Sequence, residues 1–262
     1  MTFGLPRSPR GVAGRSDGAV SDARAADRVA RSPRAVVSWS SGKDGAWALH
    51  EVRREGRLDV VGLMTTLTEE YGRVSMHGVR REVLERQAEL AGLPVAAVGI
   101  SAGASNAEYE RAFLSAALRA KAEWGISRIV FGDLFLEDVR AYRERLLDGT
   151  GIEPVFPLWG RPTASLAREM IAGGLRAELV CVDPARLPAE FAGRSWDASL
   201  LADLPAGVDP CGENGEFHTC VTAGPMFSEP IAVRRGERVL RDGFVFFDLF
   251  LEGELPGRQA AC

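Results

Sequence analysis

Ala35-Val36-Val37-Ser38-Trp39-Ser40-Ser41-Gly42-Lys43-Asp44-Gly45 is the stretch on which the fold turns. An apolar, β-branched run ends in small polar residues and glycines, and a helical pattern begins at Ala46. A strand that bends abruptly into a helix leaves backbone N–H groups unpaired at the bend. Together with the positive end of the helix they form a seat for phosphate. Gly42 and Gly45 let the backbone bend and approach an anion, Ser40 and Ser41 add hydroxyls, and Lys43 adds a mobile positive charge. Neither the GxxxxGK[ST] spacing of a Walker loop nor a GxGxxG fingerprint is present here. The plain alternative is an ordinary strand–turn–helix in which Asp44 caps the helix.

Outward from this stretch, strand-like and helix-like patterns alternate. Ala35–Trp39 reads as a buried strand, with Ala46, Leu49 and Val52 on one helical face. Asp59–Met64 and Val95–Ile100 read as strands, and Val79–Ala91 as a helix stopped by Gly92 and Pro94. Asn106–Trp124 is a long helix with Tyr109, Phe113, Ala116 and Ala120 at helical spacing, and Arg128–Phe131 is a fourth strand leading into Gly132-Asp133. Strands separated by helices imply parallel pairing in an α/β, doubly wound, Rossmann-like sheet. Ligands of such sheets lie beyond the carboxyl ends of the strands, where strand order reverses. With the first strand central, the turns Ser40–Gly45 and Gly132–Asp133 converge there. Asp133 is then placed to hold magnesium or orient phosphates, and a turn at Met64-Thr65-Thr66 to contact adenine or ribose.

Beyond residue 150 prolines 154, 157 and 162 change the texture. Thr163–Ala172 reads as a helix, Arg176–Val182 as a strand, and Ser195–Leu204 as a short helix capped by Ser195. Asp209–Thr219 is a polar, glycine-punctuated loop carrying Glu213, Glu216 and His218. Ile231–Val233, Arg238–Leu240 and Phe244–Leu251 look like a strand meander with turns at Arg235-Gly236 and Asp242-Gly243. The division expected is a disordered tail over 1–33, a nucleotide-binding domain over 34–150, a substrate-binding domain over 151–228 and a meander over 229–254.

Composition limits the functions available. The 262 residues suffice for a sizeable core, and 46% hydrophobic with 26% charged residues is ordinary for a globular protein. A net charge of −4 argues against nucleic acid as a partner. No apolar run reaches the roughly 18 residues of a membrane span. Cys181, Cys211, Cys220 and Cys262 form no CxxC pair or zinc spacing, which fits a reduced, cytoplasmic protein.

Ser-Trp-Ser-Ser-Gly-Lys-Asp-Gly resembles the SGGxDS pyrophosphate loop (PP-loop) of the N-type ATP pyrophosphatases, in the adenine nucleotide alpha hydrolase superfamily. Ser41 stands at the pattern's first glycine and Gly45 at its final serine. Phe131–Arg145, Pro157-Leu158-Trp159 and Gly212–Thr219 are similar to further signatures of one branch, the diphthine–ammonia ligase family and its bacterial relatives. These signatures run in order over roughly residues 34 to 228. The resemblance implies an ATP- and Mg2+-using, AMP-forming amide ligase. A carboxylate, small-molecule or protein-borne, would be adenylated and then attacked by ammonia. It implies nucleotide contacts at Ser40, Ser41, Gly42, Lys43, Asp44, Gly45, Met64, Gly132 and Asp133, metal contacts at Asp44 and Asp133, and catalytic roles for Lys43, Asp44, Glu216 and His218. Glu216 and His218 would handle ammonia or act as a general base; the alternative is a loop held by its own hydrogen bonds. His77 is either a solvated loop histidine or a ligand contact, and Arg140, Tyr142, Arg143 and Arg145 either clamp an acidic substrate or form a solvated helix face. Two other functions share the loop: a nucleotide-binding regulator without turnover, hinted at by Gly45, and a tRNA-thiolating enzyme, which needs a cysteine pair and a basic surface. The resemblance leaves the acceptor and a homodimer open.

Overall fold

The computed structural model of the chain describes residues 32–253. The tail expected over residues 1–33 lies outside the described residues except for Ser32 and Pro33, as does Cys262.

The first half builds a six-stranded sheet. Its strands are β1 (Arg34–Ser38), β2 (Asp59–Thr68), β3 (Arg73–Val74), β4 (Val95–Ile100), β5 (Arg128–Val130) and β6 (Glu153–Val155). The parallel strands run β4-β2-β1-β5-β6, and β3 pairs antiparallel with the end of β2. β1 is central, as expected, with Val37 beside Leu63 on one side and Val130 on the other. Helices α1 (Lys43–Glu55), α2 (Arg81–Ala91), α3 (Asn106–Trp124) and α4 (Glu137–Leu147) connect the strands.

The pleat sorts β1 between two cores. Ala35 and Val37 join the apolar cluster that holds α1 and α2, whereas Val36 joins Phe113, Ala116 and Ala120 of α3 on the opposite face. α3 forms where its sequence pattern places it, started by a capping box in which Glu108 N donates to Ser105 Oγ and Ser105 N to the Glu108 carboxylate. α2 starts at Arg81 rather than Val79 and stops at Gly92, whose φ of +66° ends it in the left-handed region.

The second half adds α5 (Thr163–Ala172), α6 (Ala198–Asp203) and an antiparallel sheet of order β8-β7-β10-β9. These strands are β7 (Arg176–Val182), β8 (Phe217–Ala223), β9 (Val233–Arg241) and β10 (Phe244–Leu251). Two local expectations are corrected. The cap of α6 is Asp197, whose side chain accepts from Leu200 N at 2.9 Å, because Ser195 is engaged with Glu178 across a β-bridge. Arg235-Gly236 is not a turn but lies within β9, where a Cβ on Gly236 would sit 2.7 Å from the Phe250 ring. The glycine makes room for a side chain of the partner strand. The turn at Asp242-Gly243 stands, joining β9 to β10.

Candidate functional site

Ser38 ends β1, and α1 starts at Lys43, one turn earlier than the sequence pattern suggests. Gly42 is its N-cap and supplies no side-chain cap. One of the amides that such a start leaves unpaired finds a partner outside the helix. Lys43 N donates to Thr219 Oγ1 at 3.1 Å, on β8. Those of Asp44 and Gly45 follow at the wall of a large cavity. Ser41 carries a φ of +69°, so it occupies the left-handed backbone position at which the resembled pattern has glycine. Tertiary bonds hold this conformation: the Ser41 carbonyl accepts from Val221 N at 2.9 Å and from Gln87 Nε2 at 3.2 Å. Gln87, fully buried on α2, also donates to the Val221 carbonyl and accepts from Trp39 Nε1 at 3.0 Å.

The cavity, of about 930 Å³, lies beyond the carboxyl ends of β1 and β5. Ser40, Lys43, Asp44, Gly45, Met64, Gly132, Asp133 and His218 line it, as the sequence reading places them. Met64 does so from within β2, which continues to Thr68, so the expected turn at 64–66 is strand. Ser41 and Gly42 are buried behind the wall. Gly132 explains its own identity: a Cβ there would lie 2.7 Å from Asp44 C and Gly45 N, so the loop after β5 packs directly under the start of α1. Of the arginines considered as clamps, Arg143 lines the cavity and meets Asp133 at 3.4 Å, whereas Arg140 pairs with Glu144 and stacks on Trp159.

Lys43 is not the mobile charge expected. Its side chain is 2% exposed, binds both carboxylate oxygens of Asp44 at 2.8 and 2.9 Å and donates to the Cys211 carbonyl. Trp196 and Phe217 lie 5.5 and 5.6 Å from its ammonium. Burial pushes its proton affinity down, but the Asp44 carboxylate more than offsets this and holds it above the usual lysine value. Desolvation raises the Asp44 carboxyl against the pull of Lys43, with Asp209 and Asp133 adding repulsion. Asp133 is likewise raised, chiefly by burial.

Two carboxylates that each resist ionisation in one cavity suit a divalent cation. Among the described residues no cluster of three or more His, Cys, Asp or Glu side chains is arranged to hold a metal ion. Asp44 faces Lys43 and Asp133 faces Arg143, and a magnesium ion taken here would replace those cations at the carboxylates and fill its octahedron with water and phosphate oxygens.

Glu216, chosen from sequence as a catalytic carboxylate, points elsewhere. It is 3% exposed, accepts from Asp209 N at 3.0 Å and from Asn214 Nδ2 at 3.1 Å, and braces the loop from inside. Glu213, three residues earlier, is the carboxylate of that loop on the cavity wall. It accepts from Leu134 N at 2.8 Å, and burial pushes its pKa up to about 7. Both glutamates follow a glycine in a polar loop, so local sequence carries no signal to choose between them. His218 stacks on His77 with ring centroids 4.5 Å apart, and His77 Nδ1 donates to the Thr219 carbonyl at 3.2 Å. Burial lowers His218 to about 4 and holds His77 well below the ordinary histidine range, so both rings are neutral near pH 7. His77 packs on the phosphate loop: a Cβ on Gly42 would lie 2.8 Å from its Cε1.

A parallel sheet with its central strand running into a glycine-bearing helix start, and a cavity at the point of strand reversal, defines a doubly wound α/β protein. Residues 33–154 match the diphthamide synthase N-terminal domain and residues 162–249 the diphthamide synthase C-terminal domain. The chain belongs to the diphthine–ammonia ligase family. It is 28% identical over 126 residues to the diphthine–ammonia ligase of Rattus norvegicus, covering 46% of this chain and 47% of that protein. With that of Danio rerio it shares 30% identity over 131 residues, 48% of this chain and 51% of the relative. The human protein is 29% identical over 126 residues, covering 46% and 47%. The chain thus spans about half the length of the curated relatives it matches. Among the described residues no helix is long and apolar enough to cross a membrane.

Proposed function

We propose that the chain is an ATP-dependent, AMP-forming ligase that joins a carboxylic acid to ammonia. The observation that carries this reading is the shared wall of the cavity. The N-terminal sheet contributes the phosphate loop, the C-terminal sheet contributes Cys211–Thr219, and the two are bonded through Lys43–Thr219 and Ser41–Val221.

In this scheme the triphosphate lies along the Ser40–Gly45 turn, with the α1 amides toward its oxygens. The apolar wall of Met64, Val98, Phe113 and Phe131 takes the base. Asp44 and Asp133 would hold magnesium, which would neutralise phosphate charge when bound. An acceptor carboxylate oxygen bonds the α-phosphorus as the P–O bond to pyrophosphate breaks. Ammonia nitrogen then bonds the acyl carbon as AMP leaves. The proton that nitrogen sheds goes to Glu213, whose pKa of about 7 matches the duty of a base at neutral pH. His218, at about 4, holds no proton there and acts as a neutral hydrogen-bonding group at the rim. Lys43 keeps Asp44 ionised and placed, a positioning role that the resemblance alone assigns to phosphate binding.

The geometry gives little support to sulfur transfer. Cys211 is the cysteine on the cavity wall, and burial raises its thiol to about 12, far from a thiolate nucleophile. The test is incubation with α-labelled ATP, magnesium, ammonium and a pool of carboxylic acids. AMP and pyrophosphate formed together, dependent on an acid, are the expected products. ADP with phosphate would sink the adenylation scheme, and ATP binding without turnover under any pool would favour a regulator.

A further inference from the structure

A second chamber of about 270 Å³ adjoins the main cavity. Thr68, Val74, Met76, Ala102, Gly103 and His218 line both, so the two share a wall that includes the His218 ring. The chamber lies between the end of β2 and the β9–β10 hairpin, and its volume sits just below the ~300 Å³ at which drug-sized sites begin. It has room for a small metabolite and not for a folded peptide.

Its charges are unequal in kind. Arg73 is committed, meeting Asp248 at 2.9 and 3.0 Å and the Gly78 carbonyl at 2.7 Å, and Arg80 closes on the same carboxylate. Arg241 is not. Its guanidinium lies 4.4 Å from the Tyr71 ring centroid and 4.9 Å from that of Phe246. No carboxylate among the described residues pairs with it, and Asp242, on the same turn, lines the chamber without reaching it. Two aromatic rings fix the plane of the guanidinium and leave its hydrogen-bonding edges free, the arrangement that receives a carboxylate through two parallel bonds. Of the other polar groups, burial keeps the Cys181 thiol protonated and His218 is neutral, while Asp242 adds a carboxylate at the hairpin turn. Phe244 and Phe246 supply apolar wall to the chamber.

We infer that this chamber is the acceptor pocket and that it selects a small dicarboxylic acid, with Arg241 binding the carboxylate that does not react. The inference rests on the ligase reading and adds the substrate class to it. One carboxylate is anchored at Arg241, the short carbon chain lies along Phe244 and Phe246, and the second carboxylate passes His218 to reach the α-phosphorus in the main cavity. A cationic acceptor is disfavoured by the same guanidinium.

Calorimetric titration of the full chain with glutarate and succinate, and with butyrate and valerate as matched monocarboxylates, tests this with and without AMP and magnesium. Expected is a preference of tenfold or more for the dicarboxylates, lost in Arg241→Gln, clearly weakened in Arg241→Lys, which cannot make two parallel bonds, and unaffected by Arg119→Gln on the exposed face of α3. No binding of either dicarboxylate to the wild-type chain, equal affinity for both classes, or a preference that survives Arg241→Gln would each overturn the inference. Thermal melts of the variants establish that they are folded, and the wild-type comparison needs no variant. The two readings fail separately. Glutarate binding through Arg241 in a chain that never binds ATP removes the ligase and spares the chamber. AMP formation driven equally by monocarboxylates removes the chamber and spares the ligase.

Discussion

Replacing Ser41 by glycine should stabilise the protein, although it deletes a side chain that is completely buried. At φ +69° an L-residue other than glycine carries about 1–2 kcal/mol of backbone strain. The hydroxyl adds to this: Ser41 Oγ is buried and has no hydrogen-bond partner, which costs about 1–3 kcal/mol in lost hydration. Against these gains, glycine brings about 0.5–1 kcal/mol of extra unfolded-state entropy. The balance favours Ser41→Gly by about 1–4 kcal/mol, with Tm rising by roughly 2–4 °C for each kcal/mol in a chain of this size. The backbone bonds from Val221 and Gln87 to the Ser41 carbonyl do not involve the side chain and persist. Because Ser41 stands behind the cavity wall, ATP affinity should change by less than about threefold, under 1 kcal/mol.

Differential scanning calorimetry on Ser41→Gly, Ser41→Ala and Ser41→Val separates the two causes. Alanine removes the hydroxyl but keeps the strain, so it should gain less than glycine. Valine, β-branched at a positive φ, should lose several degrees. If glycine melts no higher than alanine, backbone strain at residue 41 is not being relieved and the argument fails. If glycine melts below the wild type, the hydroxyl is doing something that the geometry does not show.

Gly132→Ala should cost about 1–3 kcal/mol and weaken ATP binding, because its Cβ meets the backbone of Asp44 and Gly45 at 2.7 Å; an unchanged melting curve and affinity would mean the loop has slack. Lys43→Ala should weaken ATP binding, measured by calorimetry, more than Lys121→Ala, since it strips the buried Asp44 and Cys211 carbonyl of their partner. Glu213 is raised from 4.5 to about 7, so the native chain holds a proton that the unfolded chain has lost; its contribution is full below pH 4.5 and gone above about 7. Wild-type stability should therefore fall by about 1–3 kcal/mol relative to Glu213→Gln between pH 5 and 8, read from urea melts, while ligase activity should rise through pH 7 only in the wild type.

The alternation of patterns from residue 35 to 131 was enough to read the parallel sheet, its central first strand and the loop that feeds the cavity. Those features rest on local chemistry: β-branched runs, glycine stops, and the apolar stripe of α3. Short elements were not legible for the same reason. β3 and β6 span two and three residues, too few for a periodicity, and exist because β2 and β5 offer them an edge. The Ser41 backbone escaped too, since nothing in Ser40-Ser41-Gly42 reveals that a left-handed serine is held from 46 and 180 residues away by Gln87 and Val221.

The exchange of Glu216 for Glu213 shows where sequence reasoning stops most sharply. In Gly212-Glu213-Asn214-Gly215-Glu216-Phe217 the two carboxylates are equivalent in type and setting. What separates them is the route of the loop as it leaves α6 for β8. Gly212, at φ +70°, turns the chain where a Cβ would lie 2.8 Å from the Phe217 carbonyl, and Gly215, at φ +86°, turns it again. Between these turns Glu213 faces the loop after β5 and takes the Leu134 amide, while Glu216 faces back and takes the Asp209 amide. One glutamate is consequently braced against its own loop and the other is desolvated beside Asp44 and Asp133, where its carboxyl is raised toward neutrality. The same two residue types thus receive a structural and a chemical assignment from two glycine turns, so Glu216→Gln should show its effect in stability and Glu213→Gln in the pH dependence of turnover.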